Sequence, residues 1–358
     1  MTTKKTIKQA DMFDINGPDK LSTESVYQRE EIIRQYAKDP NTVFYISVSG
    51  GKHGQAMSIL VRKIVPLAQI VFVHAHLGDA VEHEGIMAHI KETVPAGVPF
   101  HVVKNKLRDF IGMVLLRGMF PSPKYRTCTS DLKTNPIDSF IRKDMAERGA
   151  TVGFNCIGLR SEESVPRSGR NPLFVNNRLT LQSGKRTVYD FLPAFHLTEK
   201  EVFETIYGAG EKPFGVYGTE QDTKGDVVLS TSGNTRVSCK FCIMGNVRDL
   251  RNAATWYPDR YAQMIALERV IGHTMFIKTV KKEVVPVPLE DKVGLPFDEI
   301  AVRRWMMVLN NQRQALLKDK EDREAEKLAN REAKKAEAAK KKVSKKYGSS
   351  EDNLTLAI

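Results

Sequence analysis

The chain has 358 residues, 41% of them hydrophobic, with a formal net charge of +12 and a pI near 9.4. This length allows one large α/β domain with appendages, or two domains. No apolar run approaches the ~20 residues that cross a bilayer, and the N-terminus lacks the apolar core of a signal peptide. We therefore expect a cytoplasmic protein with no membrane partner.

The positive charge is not confined to the lysine-rich C-terminal segment. Residues 318–346 carry twelve Lys or Arg and seven Asp or Glu, and Glu351 and Asp352 follow. A net charge of about +9 therefore belongs to residues 1–317. A basic body suits polyanionic partners such as nucleotides, DNA or RNA.

Strands and helices alternate through the first half of the chain. A helix over 24–38 leads into a strand over 43–48. Further strand-like runs and the helical patterns between them are predicted at 69–74, 98–103, 151–157 and 187–192, and at 55–64, 83–93, 106–117 and 132–148. This alternation predicts an α/β fold, a parallel sheet with helices on both faces. Ligands of such sheets bind beyond the carboxyl ends of the strands.

The second half reads differently. Residues 165–238 are rich in Gly, Asn, Thr and Ser and predict one helix, 198–207, among hairpins or loops. Helical patterns return at 258–271 and from about 297. Residues 314–346 contain too few apolar side chains to bury a face, so they predict a solvated helix or a disordered segment.

These patterns suggest four parts. We divide the chain into an N-terminal lead-in helix, a main domain, a helical extension and a charged helical or disordered tail with a flexible end, at residues 1–40, 41–275, 276–317 and 318–358.

A glycine loop follows the first strand: Ser49-Gly-Gly-Lys-His-Gly54. Glycines permit positive φ and let an anion approach the backbone closely, and the helix start that follows directs N–H groups at it. Lys52 adds a mobile charge. The loop matches neither G-x-x-x-x-G-K-S/T nor G-x-G-x-x-G. It predicts an anion-binding loop, with a plain strand–helix connection as the alternative.

The four cysteines, in a cytosolic protein, argue against structural disulfides. Cys239 and Cys242 have the C-x-x-C spacing that lets two thiolates reach one metal or cluster. Cys128 precedes a predicted helix and follows two cations, so we expect a lowered thiol pKa. Cys156 lies in an apolar run and is predicted to be a buried strand residue.

Cys128, Cys239 and Cys242 are thus candidate metal ligands, one fewer than a structural zinc site normally uses. Three interpretations stay open. The thiols hold an iron–sulfur cubane with one open iron, they bind zinc, or the C-x-x-C pair is a redox pair.

Four segments in order resemble the phosphoadenosine phosphosulfate (PAPS) reductase family of the PP-loop, adenine nucleotide α-hydrolase-like superfamily. The similarity covers about residues 40–275. The family includes relatives that act in sulfur modification of DNA. The segments are Ser47-Val-Ser-Gly-Gly-Lys52, Arg126-Thr-Cys-Thr-Ser-Asp-Leu-Lys-Thr-Asn-Pro136, Gly158-Leu-Arg-Ser-Glu-Glu-Ser-Val-Pro-Arg167 and Arg236-Val-Ser-Cys-Lys-Phe-Cys-Ile-Met244.

The resemblance implies an adenine nucleotide, ATP or PAPS, bound after the first strand. Its phosphates would be held by the loop, and two guanidinium groups would clamp further anionic groups. Surface ion pairs with Glu162 or Glu163 are the alternative for those guanidinium groups. The implied binding residues are Ser49, Gly50, Gly51, Lys52, Gly54, Arg160 and Arg167. From the cysteine pattern, the expected cofactor is a 4Fe-4S cluster on Cys128, Cys239 and Cys242, with zinc as the alternative.

The loop also departs from the family pattern. His53 and Gly54 replace the usual Asp-Ser, and His76 stands where relatives often carry an aspartate. Because Mg²⁺ prefers oxygen ligands, magnesium-assisted ATP cleavage becomes doubtful. We take His53, His76 and Cys128 as candidate catalytic residues. His74 is a further acid–base candidate, and Asp79 or Glu82 are candidates for the missing carboxylate.

Three functions remain. The first is an enzyme of sulfur transfer or modification acting on nucleic acid with an iron–sulfur cluster. The second is a sulfonucleotide reductase that forms sulfite with a thioredoxin-type reductant, although no cysteine follows Cys242. The third is a non-catalytic PP-loop subunit of a larger assembly that binds nucleotide or nucleic acid.

Overall fold

A six-stranded sheet forms the centre of the molecule. The computed structural model describes residues 15–17, 19–237 and 239–347. The strand order is β3-β2-β1-β4-β6-β5, and all neighbours are parallel except β5 with β6. The strands are β1 (Thr42–Ser47), β2 (Ile70–Ala75), β3 (Phe100–Val103), β4 (Val152–Ile157), β5 (Leu173–Val175) and β6 (Thr187–Phe191). The predicted α/β class is confirmed, whereas the short antiparallel edge strand β5 was not predicted.

Five helices accompany the first four strands and a sixth follows the sheet. An α-turn (Thr127–Thr129) and a π-helical stretch (Ser130–Thr134) lead directly into α5. The helices are α1 (Thr23–Tyr36), α2 (Lys52–Ile64), α3 (Ile86–Thr93), α4 (Phe110–Arg117), α5 (Asn135–Arg148) and α6 (Glu199–Gly208).

The central strand is buried on both faces. In β1, Phe44 and Ile46 belong to the core that contains α2, whereas Val43 and Tyr45 face the core that contains α5. Successive strand residues point to opposite faces, so a nearly continuous apolar run is what a strand covered on both sides requires.

A third apolar core lies beside the sheet. It gathers α4 with the C-terminal helices and the C-x-x-C segment, and Phe241 is fully buried in it. The remaining elements are β7 (Glu220–Gln221), β8 (Val227–Val228), α7 (Val247–Trp256), α8 (Pro258–Ile271), β9 (Phe276–Val280), β10 (Glu283–Val287), α9 (Leu289–Val293) and α10 (Glu299–Tyr347).

Several element boundaries differ from the prediction for local reasons. Helix α4 begins at Phe110 because Asp109 accepts a hydrogen bond from the Gly112 N–H at 2.8 Å and caps the helix. Helix α7, capped by Asn246, and the β9–β10 hairpin were not predicted. Residues 314–346 are helical, which favours the solvated helix over the disordered segment.

The expected flexible end lies mostly outside the described residues, which stop at 347. Among the described helices, none has the length and apolar character needed to cross a membrane.

Candidate functional site

A cavity of about 320 Å³ opens at the carboxyl edge of the sheet. It lies between the loop after β1, the end of β2, the segment after β4 and the residues Arg236, Val237 and Cys239. This is the edge where parallel α/β sheets bind ligands, and the volume falls in the usual range for small-molecule sites.

The backbone of the glycine loop faces this cavity. Gly50 has φ +70°, and a Cβ there would lie 2.2 Å from Ile86 Cδ1, so only glycine fits. Gly51 is the extended N-cap of α2. In the described part of the chain, no group accepts a hydrogen bond from the N–H of Gly51, His53 or Gly54. These amides and the positive end of the helix dipole are available to an anion.

Gly158 holds the start of α2 against the end of β4. A Cβ on Gly158 would lie 2.6 Å from the Gly54 nitrogen and 2.6 Å from the His53 carbonyl oxygen. The absence of a side chain therefore fixes how closely the loop approaches the third motif segment.

The Lys52 ammonium is bonded to other protein groups and is not available to bind an anion. Its Nζ donates to Glu199 Oε1 at 2.5 Å and to the Thr235 carbonyl at 2.7 Å, and it lies over the Tyr217 ring. The Lys52 N–H donates to the Tyr217 hydroxyl at 2.9 Å. Burial lowers the pKa of Lys52, while Glu199 acts in the opposite direction. The structure thus shows Lys52 anchoring the loop to α6.

His53 is held neutral between two charged groups. Its Nε2 accepts from Arg160 Nε at 3.1 Å, and its Nδ1 lies 3.5 Å from Glu163 Oε1. Burial lowers the pKa of His53 to about 4, and Arg160 acts in the same direction against Glu163. This arrangement corresponds to the neutral tautomer with the proton on Nδ1.

The two candidate clamping arginines are ion-paired. Arg160 is buried and donates to Glu162 Oε2 at 2.9 Å and to the Leu197 carbonyl, while Arg167 pairs with Glu163. These are the alternative partners considered from the sequence. Of the two, Arg167 lines the cavity.

His74, near the end of β2, and His76, just after it, both lie within 4 Å of Glu82 Oε2 but line different cavities. His74 is buried and lines the cavity, with Nδ1 3.0 Å from the Val48 carbonyl and Nε2 3.2 Å from Glu82 Oε2. Burial alone would raise the pKa of Glu82, but hydrogen bonds from His74 and the Leu77 N–H lower it below its usual value. His76 lies 3.2 Å from Asp79 Oδ1 and faces a second cavity of about 420 Å³ beside residues 104–109.

Among the cysteines, Cys239 lines the 320 Å³ cavity, whereas Cys128 and Cys242 line neither cavity. The prediction of a lowered pKa for Cys128 is wrong, because burial raises it more than Lys133 lowers it. Burial likewise raises the pKa of Cys239 to about 12. Cys156 is fully buried in β4, as predicted.

The three candidate ligand thiols are not arranged as a metal site in this structure. Within the described ranges, no three His, Cys, Asp or Glu side chains are placed to hold one ion. The chemistry of the donor set suits iron or zinc, but its present arrangement does not fit either.

Two cavity cations were overlooked in the sequence. Lys133 lines the cavity and makes no ion pair with any residue the structure describes, and Arg236 lines it while donating to the Met244 carbonyl at 3.2 Å. Both lie inside quoted motif segments, so the motifs carried the signal. Tyr217, whose hydroxyl accepts from Lys52 and Val237 N–H groups, had no sequence signal.

Comparisons with known proteins give distant similarities. No protein-family model matches the chain. An uncharacterized 37.8 kDa protein in the gpa 5′ region of Escherichia phage 186 is 20% identical over 249 residues, 65% of this chain and 68% of that protein. The crystal structure of a PAPS reductase from Candida auris, a phosphate complex, is similar at 14% identity and a TM-score of 0.37, covering 60% of this chain and 95% of that one.

Proposed function

We propose that this chain is a PAPS-reductase-like enzyme that binds an adenine nucleotide with its phosphates on the loop at residues 49–54. Sulfur chemistry takes place at Cys239, which lines the same cavity. The observation that carries this proposal is that the unpaired loop amides and Cys239 line one cavity.

The electrostatics of the cavity support an anionic ligand. Backbone N–H groups at a helix N-terminus bind phosphate without any side-chain charge. Lys133 adds an ammonium that has no carboxylate partner in the described structure, and Arg236 adds a guanidinium with most of its donors unused. A phosphate chain that reaches from the loop toward Cys239 would meet both.

The resting thiol is not ready to attack. Because burial holds the pKa of Cys239 near 12, the group is protonated at neutral pH and is a weak nucleophile. The His74–Glu82 pair lines the same cavity and is the acid–base pair that we propose there.

Binding is tested by isothermal titration calorimetry with PAPS, ADP and ATP. We expect micromolar affinity for at least one of them, and a loss of about tenfold in Lys133→Ala, the size expected from one charge-assisted hydrogen bond. Lys63→Ala removes an exposed lysine of α2 as the matched control. Equal affinities of the wild-type protein and Lys133→Ala would contradict the proposed anion path.

Chemistry needs a separate readout. Sulfite release from PAPS with a dithiol reductant supports a reductase, and sulfur incorporation into DNA or RNA supports nucleic-acid modification. Loss of either activity in Cys239→Ser, with nucleotide affinity retained, would assign the reacting end. Turnover that survives this substitution would remove Cys239 from the chemistry.

Metal binding by Cys128, Cys239 and Cys242 is proposed as a further property, and it requires the three thiols to move together from their positions in this structure. Iron, zinc and sulfide analysis of anaerobically purified protein tests it. Iron and sulfide lost in Cys128→Ser would support a cluster, and protein free of metal and sulfide would contradict it.

A second candidate function is nucleotide binding without catalysis. It is favoured by the tied side chains of the loop, since Lys52 is bonded to Glu199 and His53 is neutral against Arg160. His53→Asp tests it, because a gain of ATP cleavage would show that the native loop lacks only the carboxylate.

A further inference from the structure

The β9–β10 hairpin is a two-stranded sheet separate from the main sheet. The residues that flank the hairpin are held by one buried carboxylate. Glu268 accepts from the Met275 N–H, before β9, at 2.6 Å and from the Leu289 N–H, after β10, at 2.8 Å. Phe276 packs on the third core at its base. Beyond that base the strands extend into solvent.

The tip of the hairpin is strained and basic. Val280 pairs with Glu283, so the turn consists of Lys281 and Lys282, with φ +48° and +73°. Positive φ at both central residues defines a type I′ turn, which favours Asn-Gly; lysine there carries a steric cost. Such strain at an exposed position suggests a function.

One face of the hairpin is largely apolar and packs against no residue that the structure describes. Opposed residues share a face, so Ile277 and Pro286 lie beside Thr279 and Val284. All four are exposed, Ile277 at 60% and Val284 at 63%. An isolated hairpin of this kind is marginal on its own, and its apolar face is suited to contact with a partner.

Charge identifies the partner class. Lys278, Lys281 and Lys282 make no ion pair with any residue in the described ranges, and Glu283 is the hairpin's one acidic residue. A second copy of this basic chain would bring like charges together. A polyanion would not.

We propose that the β9–β10 hairpin is an arm that binds duplex DNA. A two-stranded ribbon fits the major groove of B-DNA, whereas the major groove of duplex RNA is too narrow to admit it. The turn lysines contact phosphates, and the face of Ile277 and Val284 meets apolar base edges such as thymine methyl groups. This inference does not depend on nucleotide binding in the cavity.

The test uses the full-length protein and fluorescence anisotropy with a labelled 20-base-pair DNA duplex over a series of salt concentrations. The double variant Lys281→Asn/Lys282→Gly keeps the turn type and removes its strain and two charges. We expect equal or higher thermal stability, at least tenfold weaker DNA binding at about 0.1 M salt, and a salt slope lower by about two.

The matched control removes two exposed lysines elsewhere, as Lys63→Gln/Lys91→Gln, and is expected to bind DNA within threefold of the wild-type protein. Ile277→Thr/Val284→Thr is expected to weaken binding without changing the salt slope. Wild-type affinity and slope in the turn variant would overturn the proposal. So would tighter binding to vesicles or matched RNA than to DNA, or dimerisation through the hairpin in sedimentation. Calorimetry with nucleotides on the same variants shows whether nucleotide binding in the cavity is unchanged, so the outcome for DNA binding can be judged separately from the proposed nucleotide site.

Discussion

The 320 Å³ cavity has a loop end, formed by residues 49–54, and a cysteine end, formed by Lys133 and Cys239, and the two use their polar groups in opposite ways. At the loop end, the charged side chain of Lys52 is bonded to Glu199, and no described group accepts a hydrogen bond from the N–H of Gly51 or Gly54. At the cysteine end, Lys133 has no ion pair in the described structure. An anion could therefore be bound by backbone amides at the loop end and by the Lys133 side chain at the cysteine end.

This difference separates folding from binding within one site. Lys52 and the groups around it connect α2 to α6 and to residues 235–237, so they stabilise the loop that presents the amides. Lys133 contributes little to that framework and faces the cavity. Substitutions at the two ends should therefore affect different measurements.

The largest expected effect is at Gly158. Gly158→Ala places a Cβ 2.6 Å from three backbone atoms of α2, the Gly54 nitrogen and the His53 carbonyl carbon and oxygen, so the loop must shift. We expect nucleotide affinity to fall by well over tenfold and unfolding free energy to fall by about 1–3 kcal/mol, as in overpacked sites. Gly208→Ala in α6 meets nothing within 4 Å, so it should leave nucleotide affinity unchanged and raise the unfolding free energy by about 0.4–1 kcal/mol. Equal behaviour of the two variants in calorimetry and urea unfolding would show that the close approach is not required.

A second prediction concerns pH and His53. Its pKa is near 4 in the folded state and near 6.5 when unfolded. Between these values the unfolded chain binds a proton that the folded chain does not, so stability falls as pH drops from about 6.5 to 4. At pH 5 the contribution lost is about 2 kcal/mol.

His53→Gln keeps an acceptor for Arg160 and removes this titration. Urea unfolding of both proteins at pH 7 and pH 5 should show a smaller acid loss in the variant. The comparison is needed because burial also lowers the pKa of His83 to about 4. Parallel losses in the two proteins would mean that His53 is not the group responsible.

The two lysines offer the sharpest contrast. Lys52→Met should lower the unfolding free energy by roughly 1–2 kcal/mol, because it removes two partly buried hydrogen bonds and the ion pair with the half-exposed Glu199. Lys133→Met should leave stability within about 0.5 kcal/mol and weaken nucleotide binding about tenfold. Thermal unfolding and calorimetry on both variants measure the two effects; the reverse pattern would refute the division between the ends.

The smallest effect is expected at Arg236. Because one of its nitrogens already donates to the Met244 carbonyl, Arg236→Gln should weaken nucleotide binding by about threefold, less than one full charge-assisted bond. A loss larger than that of Lys133→Met would move the main anion contact to the 236–245 segment.

The sequence predicted the sheet and the loop because both depend on local patterns. The apolar run of β1 and the glycines that follow it determine a buried strand and a backbone that an anion can approach. Sequence could not show which cations are free, since that depends on contacts such as Lys52 with Glu199, 147 residues apart. The prediction of a lowered pKa for the Cys128 thiol was wrong for a related reason: burial raises this pKa more than the nearby positive charge lowers it.

The C-terminal part was harder to predict than the sheet. The hairpin of β9 and β10 has a Lys-Lys turn in place of the usual turn residues, and its strands alternate only weakly. Helix α7 begins just after the C-x-x-C segment and is capped by Asn246. This local cap signal was present in the sequence but was not used to predict the helix.

The most direct test of the account is a nuclear magnetic resonance titration of the full-length, glycine-selectively ¹⁵N-labelled protein with ADP or PAPS. The account predicts that the amide signals of Gly51 and Gly54 shift on binding while those of Gly208 and Gly225 stay in place. Calorimetric saturation with the loop amides unmoved, or no binding of either nucleotide, would contradict it.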